Sequence, residues 1–293
     1  MWIPSKLAQL MKNQFIAETL LRNAGGNSNG VVAYRQSNPM FLNQDIEIVA
    51  EFGEIHVAAG QLGTPNVAMA QKSGLGVRVS REMRDENKID EVNIQMTQLQ
   101  QTMIRYNDRG ARALFASVTA GGIVPASAVG AAWDTTNGTP RKDLANAIET
   151  VTVAAPTIAQ GGSTDEYFGF EPDTLVMNPA MLPVLMENAD WTKVYVGNIA
   201  DQNIAYTGAW PGRVFGLDIL LSRVWPITQA LVLQRGVCGF YSDTRPLEFT
   251  GLYPEGNGPN GGPTETWRSD TTIKRALGLD HPTAAVWLTG IHS

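Results

Sequence analysis

Three histidines, one cysteine and a few neighbouring carboxylates are the residues of this chain that could do chemistry. His56, His281 and His292 stand far apart. None has a second histidine at the spacing that puts two imidazoles on one helix face around a zinc ion. Glu51, Glu54 and His56 come nearest to a ligand cluster. On a strand, Glu54 and His56 share a face and Glu51 turns away, so the segment reads as a solvated strand face rather than a metal site. Gly74-Leu75-Gly76 runs on into Val77-Arg78-Val79, which omits the third glycine of a dinucleotide loop. Gly161-Gly162-Ser163-Thr164-Asp165 lacks the closing glycine of a nucleophile elbow. Cys238 has no nearby histidine to activate it. Adjacent carboxylates such as Asp85-Glu86 and Asp165-Glu166 diverge on any regular element. These patterns predict no catalytic residue, no metal ligand and no cofactor, and leave open only a triad assembled from distant positions.

Composition narrows the field further. Charged residues make up 17% of the 293 positions, where soluble domains average about 25%. A chain this poor in charge either meets a membrane or covers much of its surface with other protein, since interface centres are depleted in charge. The membrane option rests on residues 113 to 133, which carry no charge. That run has Gly121-Gly122 and Pro125 in its middle and is mostly small residues, so it makes a weak span. The net charge of −6 and the absence of any basic block argue against a broad nucleic-acid-binding face. A single cysteine excludes an intrachain disulfide. Lys6, Lys12, Glu18 and Arg22 interrupt any signal-peptide core.

The elements that would position such surfaces are legible from periodicity. Leu7, Leu10, Met11, Phe15, Leu20 and Leu21 predict a helix over residues 4 to 23, stopped by the Gly/Asn/Ser run 24 to 30. A helix on such a tether reads either as an arm or as an ordinary terminal helix. Alternation at Ile46, Ile48, Ala50 and Phe52, and again from Val67 to Val79, predicts one long hairpin over 46 to 80, turning at Gly60 to Pro65. A hairpin that long needs a body or a neighbour to lie on. Val92, Met96, Leu99, Met103 and Tyr106 predict a helix over 88 to 118, with Asn87 as cap and Asp90 and Glu91 in its first turn. A short helix is expected at 142 to 150, and a buried strand at Thr174 to Met177, with Asn178 capping the helix that follows. Further strands are expected at 214 to 221, 230 to 234 and 284 to 291. The fold class is α+β, because strands and helices do not alternate as a parallel sheet requires.

In this order and spacing, four stretches carry a resemblance. They are Val77-Arg78-Val79-Ser80-Arg81-Glu82-Met83, Pro172 to Pro179, Gly212 to Ser222 with Pro226 and Ala230 to Leu233, and Asp280 to Ala284 leading to Ile291. Together they make the chain resemble the major capsid protein of tailed bacteriophages, the Hong Kong 97-type fold, over about residues 40 to 291. The resemblance implies an N-terminal arm (1–45) and an extended β-hairpin loop lying over a neighbouring subunit (46–80). It implies a peripheral domain with a spine helix (81–120), a mixed axial domain (121–235), and return strands of the peripheral domain including a loop at 253–263 (236–293). It also implies hexamers and pentamers in an icosahedral shell around double-stranded DNA, held without sequence-specific binding. Assembly would take place in the host bacterial cytoplasm, with a portal and decoration proteins as further partners. The chain has no room for a lengthy scaffolding segment, so a separate scaffold protein is expected.

Subunit contacts are expected at Phe15 of the arm, at Gln61, Leu62, Thr64, Pro65 and Lys72 of the extended loop, and at Asn257 and Asn260 of the peripheral loop. Some family members join a loop lysine covalently to a peripheral asparagine. Lys72 is the only lysine of the loop, but nothing marks the activating glutamate. Three other readings compete with a virion shell: an encapsulin-like nanocompartment subunit holding enzyme cargo, a soluble α+β enzyme, and another virion part such as a tail or decoration protein.

Overall fold

A computed structural model describes residues 15–86, 88–120, 124–156, 166–192, 213–258 and 261–293. The chain divides into two units: one contains residues up to Ala33 with Val67–Leu114 and Phe240–Gly278, and the other Tyr34–Asn66, Phe115–Gly239 and Leu279–Ser293.

The first unit is organised on one long strand, β12 (Thr266–Gly278). Antiparallel to it lie β10 (Phe240–Phe249) and the short β11 (Tyr253–Pro254) on one side, and β4 (Gln71–Ser80) on the other. β1 (Arg22–Gly26) adds in parallel to β10. Against this sheet packs the apolar stripe of α3 (Ile89–Ala120), a 32-residue helix with Asp90 and Glu91 in its first turn. Met96, Leu99 and Met103 of that stripe meet Ile273 and Phe15 in one buried cluster. Each such side chain contributes roughly 1.5–3 kcal/mol by leaving water. Ser80 caps the short α2 (Arg81–Asp85) by accepting the Met83 N–H at 3.2 Å.

The N-terminal segment is built into this unit. In α1 (Ile16–Leu20), Ile16, Ala17 and Leu20 are buried. Asp108 of α3 accepts the Ile16 N–H at 3.1 Å, satisfying one of the orphan donors at the helix start. Arg275 of β12, buried, grips Asp243 through two bonds of 2.6 and 2.9 Å and Glu18 through one of 2.8 Å. Its guanidinium also lies 4.5 Å from the Tyr241 ring centre.

The second unit holds a six-stranded mixed sheet in the order β5 (Ala126–Ala128), β13 (Ala285–Thr289), β9 (Gln229–Leu233), β6 (Thr174–Met177), β8 (Leu217–Leu221), β7 (Arg213–Val214). Its three central strands are continuous apolar runs, buried along almost their whole length. That is the signature of strands covered on both faces. The sheet is accompanied by α4 (Pro140–Thr152), α5 (Met181–Glu187) and α6 (Ala189–Thr192). Trp225 stacks on Trp287 with ring centres 5.8 Å apart. Asn178 accepts the Ala180 N–H at 2.9 Å ahead of α5.

A two-stranded ribbon, β2 (Val31–Gln36) with β3 (Thr64–Met69), carries residues 37–63 at its far end. Gly63 closes that end: a Cβ there would sit 2.1 Å from the Gln36 carbonyl oxygen, so only glycine fits.

Several expectations need correction. The helix predicted over 4 to 23 ends at Leu20, and residues 22–26 form a strand. Its earlier part, with Leu7, Leu10 and Met11, lies outside the described residues, as do Asn87, Gly121-Gly122 and Gly161 to Asp165. The hairpin expected over 46 to 80 is not one ladder. Residues 46–52 form no strand, β3 pairs with 31–36 instead, and β4 belongs to the first unit's sheet. Strands 240–249 and 266–278 were not anticipated individually, because Ser269, Thr271 and Arg275 stand at inward positions of β12 and hide its alternation. The closing strand, grouped in advance with the peripheral return strands, pairs with β9 and β5 in the second sheet. Its unbroken Ala285-Val286-Trp287-Leu288 run needs cover on both faces, which a half-exposed sheet does not supply.

Candidate subunit-contact surface

Residues 37–63 form the most apolar exposed segment among the described residues. Gln36 donates to the Leu279 carbonyl at 3.1 Å, and the Ser37 N–H to the Asp280 carbonyl at 2.7 Å, which ties the loop's base to the second unit. The neck is closed by Asn43, whose N–H donates to the Ala59 carbonyl at 3.2 Å and whose Oδ1 accepts the Ala59 N–H at 2.7 Å. The tip turns at Ala50–Gly53, with the Gly53 N–H donating to Ala50 at 2.8 Å. The turn is thus at 50–53, not at the Gly60 to Pro65 cluster. Between neck and tip the two legs touch through His56 Nε2 and Glu47 Oε2 at 3.3 Å.

No described residue covers these legs. Ile46 is 96% exposed, Ile48 104%, Phe52 99% and Val57 94%. More than half of the exposed large hydrophobic residues among those described lie between Val31 and Leu75. Apolar exposure on this scale, rimmed by Asp45, Glu47, Glu51 and Glu54, makes the loop a candidate contact surface.

The first unit carries a second feature: an open groove of about 1040 Å³ between β4, β12 and α3, lined among others by Lys72, Leu75, Val77, Gln95, Leu99 and Arg268. An ion network borders it. Arg78 donates two bonds to Glu255 at 2.6 and 3.0 Å, and Arg268 Nε and the Tyr253 hydroxyl each reach Asp270 at 2.5 Å. The Arg78 bonds hold the Glu255 carboxyl below the ordinary carboxylate range, with Thr266 adding a further donor. Burial alone would raise Asp270, but the bonds from Tyr253 and Arg268 outweigh it and leave the group lowered. Gly76 makes room for this pair, since a Cβ there would meet Asp270 Oδ1 at 2.1 Å. Gly74-Leu75-Gly76 is therefore a bare stretch of strand crossed by a neighbour's side chains, not a phosphate cradle.

The residues singled out in advance fall in different places. Leu62, Thr64 and Pro65 are exposed beside the loop, and Gln61 is half-buried. Lys72 is exposed on the groove wall, in the other unit. Asn257 is exposed in the 253–263 loop, and Asn260 lies outside the described residues. Phe15 is 3% exposed and packs inside its own unit, so its ring is already occupied. Sequence reading missed the tip residues Ile46 to Val57 as a surface, because their alternation read as a paired strand. The acid/apolar alternation Asp45-Ile46-Glu47-Ile48 was the signal, with no lysine or arginine between Arg35 and Lys72.

The residues weighed for chemistry stay apart. His56 faces Glu47, not Glu54. His281 packs edge-on against Phe168 and Phe170 at 6.1 and 5.6 Å. His292 lies 3.6 Å from Asp134. Burial drives the Cys238 thiol far up, away from thiolate reactivity. Among the described residues no cluster of three metal-ligating side chains occurs, and no helix is long and apolar enough to cross a membrane.

Comparison with known proteins fits this surface-dominated picture. The phage capsid protein family matches residues 63–289, most of the chain. The chain belongs to that family. Its fold is similar to a structure from Microbacterium phage Oxtober96 (TM-score 0.62, 16% identity, 93% of this chain and 92% of that one). It is equally similar to one from Mycobacterium phage Bobi (TM-score 0.62, 12% identity, 97% of each chain). A virus-like particle from Pyrococcus furiosus also matches (TM-score 0.57, 11% identity, 98% and 97%). No curated protein matches the sequence. The expected tailed-phage major capsid protein with a Hong Kong 97-like α+β fold is thus met, and family membership points to a structural role in a self-assembling shell.

Proposed function

We propose that this phage capsid protein assembles as hexamers and pentamers into an icosahedral shell enclosing double-stranded DNA, in the host bacterial cytoplasm. The observation that carries the reading is the loop 43–59, which presents nearly fully exposed isoleucine, phenylalanine and valine on a chain of a capsid family. Such a surface is a liability in an isolated subunit and an asset in a lattice, where each loop finds a neighbour. In this reading Gln61, Leu62, Thr64, Pro65, Lys72, Asn257 and Asn260 lie at subunit contacts, while Phe15 holds its own unit together. A separate scaffold protein, a portal and decoration proteins are its partners. The net charge of −6 suits an inner wall that packs and releases DNA without gripping phosphates.

The likeness to the Pyrococcus furiosus virus-like particle favours a second reading, a nanocompartment shell with protein cargo. Negative-stain microscopy and light scattering of the purified chain test both. Shells, or free hexamers and pentamers, support assembly. A monomer or dimer that never assembles at high concentration contradicts it. Particles from the native source that contain double-stranded DNA support the virion reading, and DNA-free particles filled with an enzyme support the compartment.

A further inference from the structure

One side of α3 carries a stripe that the packing of its own unit does not use. Gln98, Gln101, Arg105, Arg109 and Arg112 follow one another at spacings of three and four, so they line a single face of the helix. That face lies opposite the one on which Met96, Leu99 and Met103 enter the buried cluster. The stripe runs roughly 21 Å along the axis, with Arg105 and Arg109 about 6 Å apart. Gln98, Gln101, Arg105 and Arg109 are exposed, and Tyr106, 51% exposed, flanks them.

Charge on this stripe has one sign. From Val92 to Ala120 the sequence holds three arginines and a single acid, Asp108, in a chain whose net charge is −6. Asp108 is buried and bonded to the Ile16 N–H, away from the exposed face. Arg78 and Arg213, also exposed, each hold a carboxylate. Arg105 and Arg109 hold none among the described residues. Like charges one turn apart destabilise a helix slightly, and an anion lying across both removes that cost.

The residue types select the kind of anion. A protein partner is seated by apolar and aromatic anchors, with charge depleted at the centre of the contact. Here charge and amide groups are the centre. Nucleic-acid interfaces are polar and strongly positive, and their phosphates are held by arginine, glutamine and tyrosine side chains.

We infer that this face of α3 binds the phosphate backbone of duplex DNA through Arg105 and Arg109, with Gln98, Gln101 and Tyr106 as further donors, without reading the base sequence. The inference rests on the shell reading and turns this face of α3 toward the lumen. Two arginines per copy make a weak, salt-sensitive contact, and the acidic balance of the rest of the chain keeps it from becoming a tight grip.

Fluorescence anisotropy of labelled duplexes with free, full-length subunits at low salt tests the binding. Two duplexes of unrelated sequence should bind alike, and more weakly as salt rises. Arg105→Gln with Arg109→Gln should weaken binding roughly ten-fold and lower the slope of log affinity against log salt by about 2, near 0.9 per lost phosphate contact. Arg105→Lys with Arg109→Lys should keep the slope. Lys72→Gln with Arg245→Gln removes the same charge elsewhere in the unit and should leave affinity near wild type. A wild-type chain that binds no duplex overturns the proposal, as does a glutamine pair that loses no more than this control. Poly-glutamate bound more tightly than duplex at Arg105 and Arg109 assigns the stripe to an acidic protein and overturns it too. In assembled shells, Arg105→Cys should resist a maleimide on a polymer too large to enter; Cys238 is buried and gives no background. Rapid labelling of intact shells places the stripe outside and overturns the proposal. Binding by free subunits needs no assembly, so its failure leaves the shell reading intact, whereas a chain that binds duplex and never assembles contradicts the shell reading instead.

Discussion

The loop tip and the second sheet are made of the same kinds of side chain and meet opposite fates. Leu231, Val232, Leu233, Val286 and Leu288 are completely shielded from water within their own chain, whereas Ile46, Ile48, Phe52 and Val57 stand almost wholly in it. Side-chain chemistry does not separate the two regions; the backbone does. The central strands of the sheet have partners on both sides and helices for company, while the legs of the loop have a neck, a turn and one His56–Glu47 contact. Apolar surface in the sheet stabilises the subunit. Apolar surface in the loop adds nothing to the stability of the subunit itself; in the proposed shell it serves assembly.

The sharpest way to break this contrast is to remove the loop. Replacing residues 44–58 with two glycines leaves the Asn43–Ala59 neck in place, and the subunit should unfold at the same temperature and denaturant midpoint as before. Assembly, followed by light scattering, should be abolished. A deletion over 56–73, the span suggested by the predicted hairpin, is a poorer test, because it cuts β3 and the start of β4 out of folded sheets.

The opposite perturbation belongs in the sheet. Leu231→Ala should cost about 2–5 kcal/mol in urea or guanidinium unfolding, by lost burial and a residual cavity. A cost under about 1 kcal/mol would show that β9 is not the two-faced core strand described.

A third region, the N-terminal segment, lies between these extremes, since it is held to its own unit by few but specific contacts. Burial pushes the Asp108 carboxyl up from 3.8 to about 6, against the stabilising bond from the Ile16 N–H. The folded chain therefore holds this proton more tightly than the unfolded chain. Its stability falls as pH rises from about 4 to about 6 and is level above that. Asp108→Asn keeps an acceptor for Ile16 and removes the ionisation. It should stabilise by about 1 kcal/mol at pH 7, allowing for partial solvent screening, and by nothing below about pH 4. Thermal melts at the two pH values check this; equal differences at both would contradict it.

The smallest stability effect is expected back at the loop. Ile48→Ser should change subunit stability by no more than about 0.5 kcal/mol, as at any surface site without partners, while weakening assembly. A large loss of stability would mean that the leg is buried in the free subunit.

Sequence reading succeeded where period and burial agree. The α3 stripe from Val92 to Met103 and the Thr174–Met177 strand are both local patterns that tertiary structure did not override. It failed where long-range pairing decides. Nothing near Val31–Gln36 announces that its partner is Thr64–Met69. Arg275 sits on the inward face of β12 only because Asp243 and Glu18, distant in sequence, converge on it. The contact surface was half legible. Leu62, Pro65 and Lys72 were chosen by position in an expected hairpin and lie near or beside the exposed features. The tip residues were hidden by their own alternation, since a strand pattern looks the same whether its partner is in the chain or in a neighbour.

Hydrogen exchange on free subunits and on assembled particles tests the central claim most directly. Amides of residues 45–57 should exchange rapidly in the free subunit and gain protection on assembly, while those of β6, β9 and β13 stay protected in both states. Assembled particles in which residues 45–57 still exchange as fast as in the free subunit would contradict it.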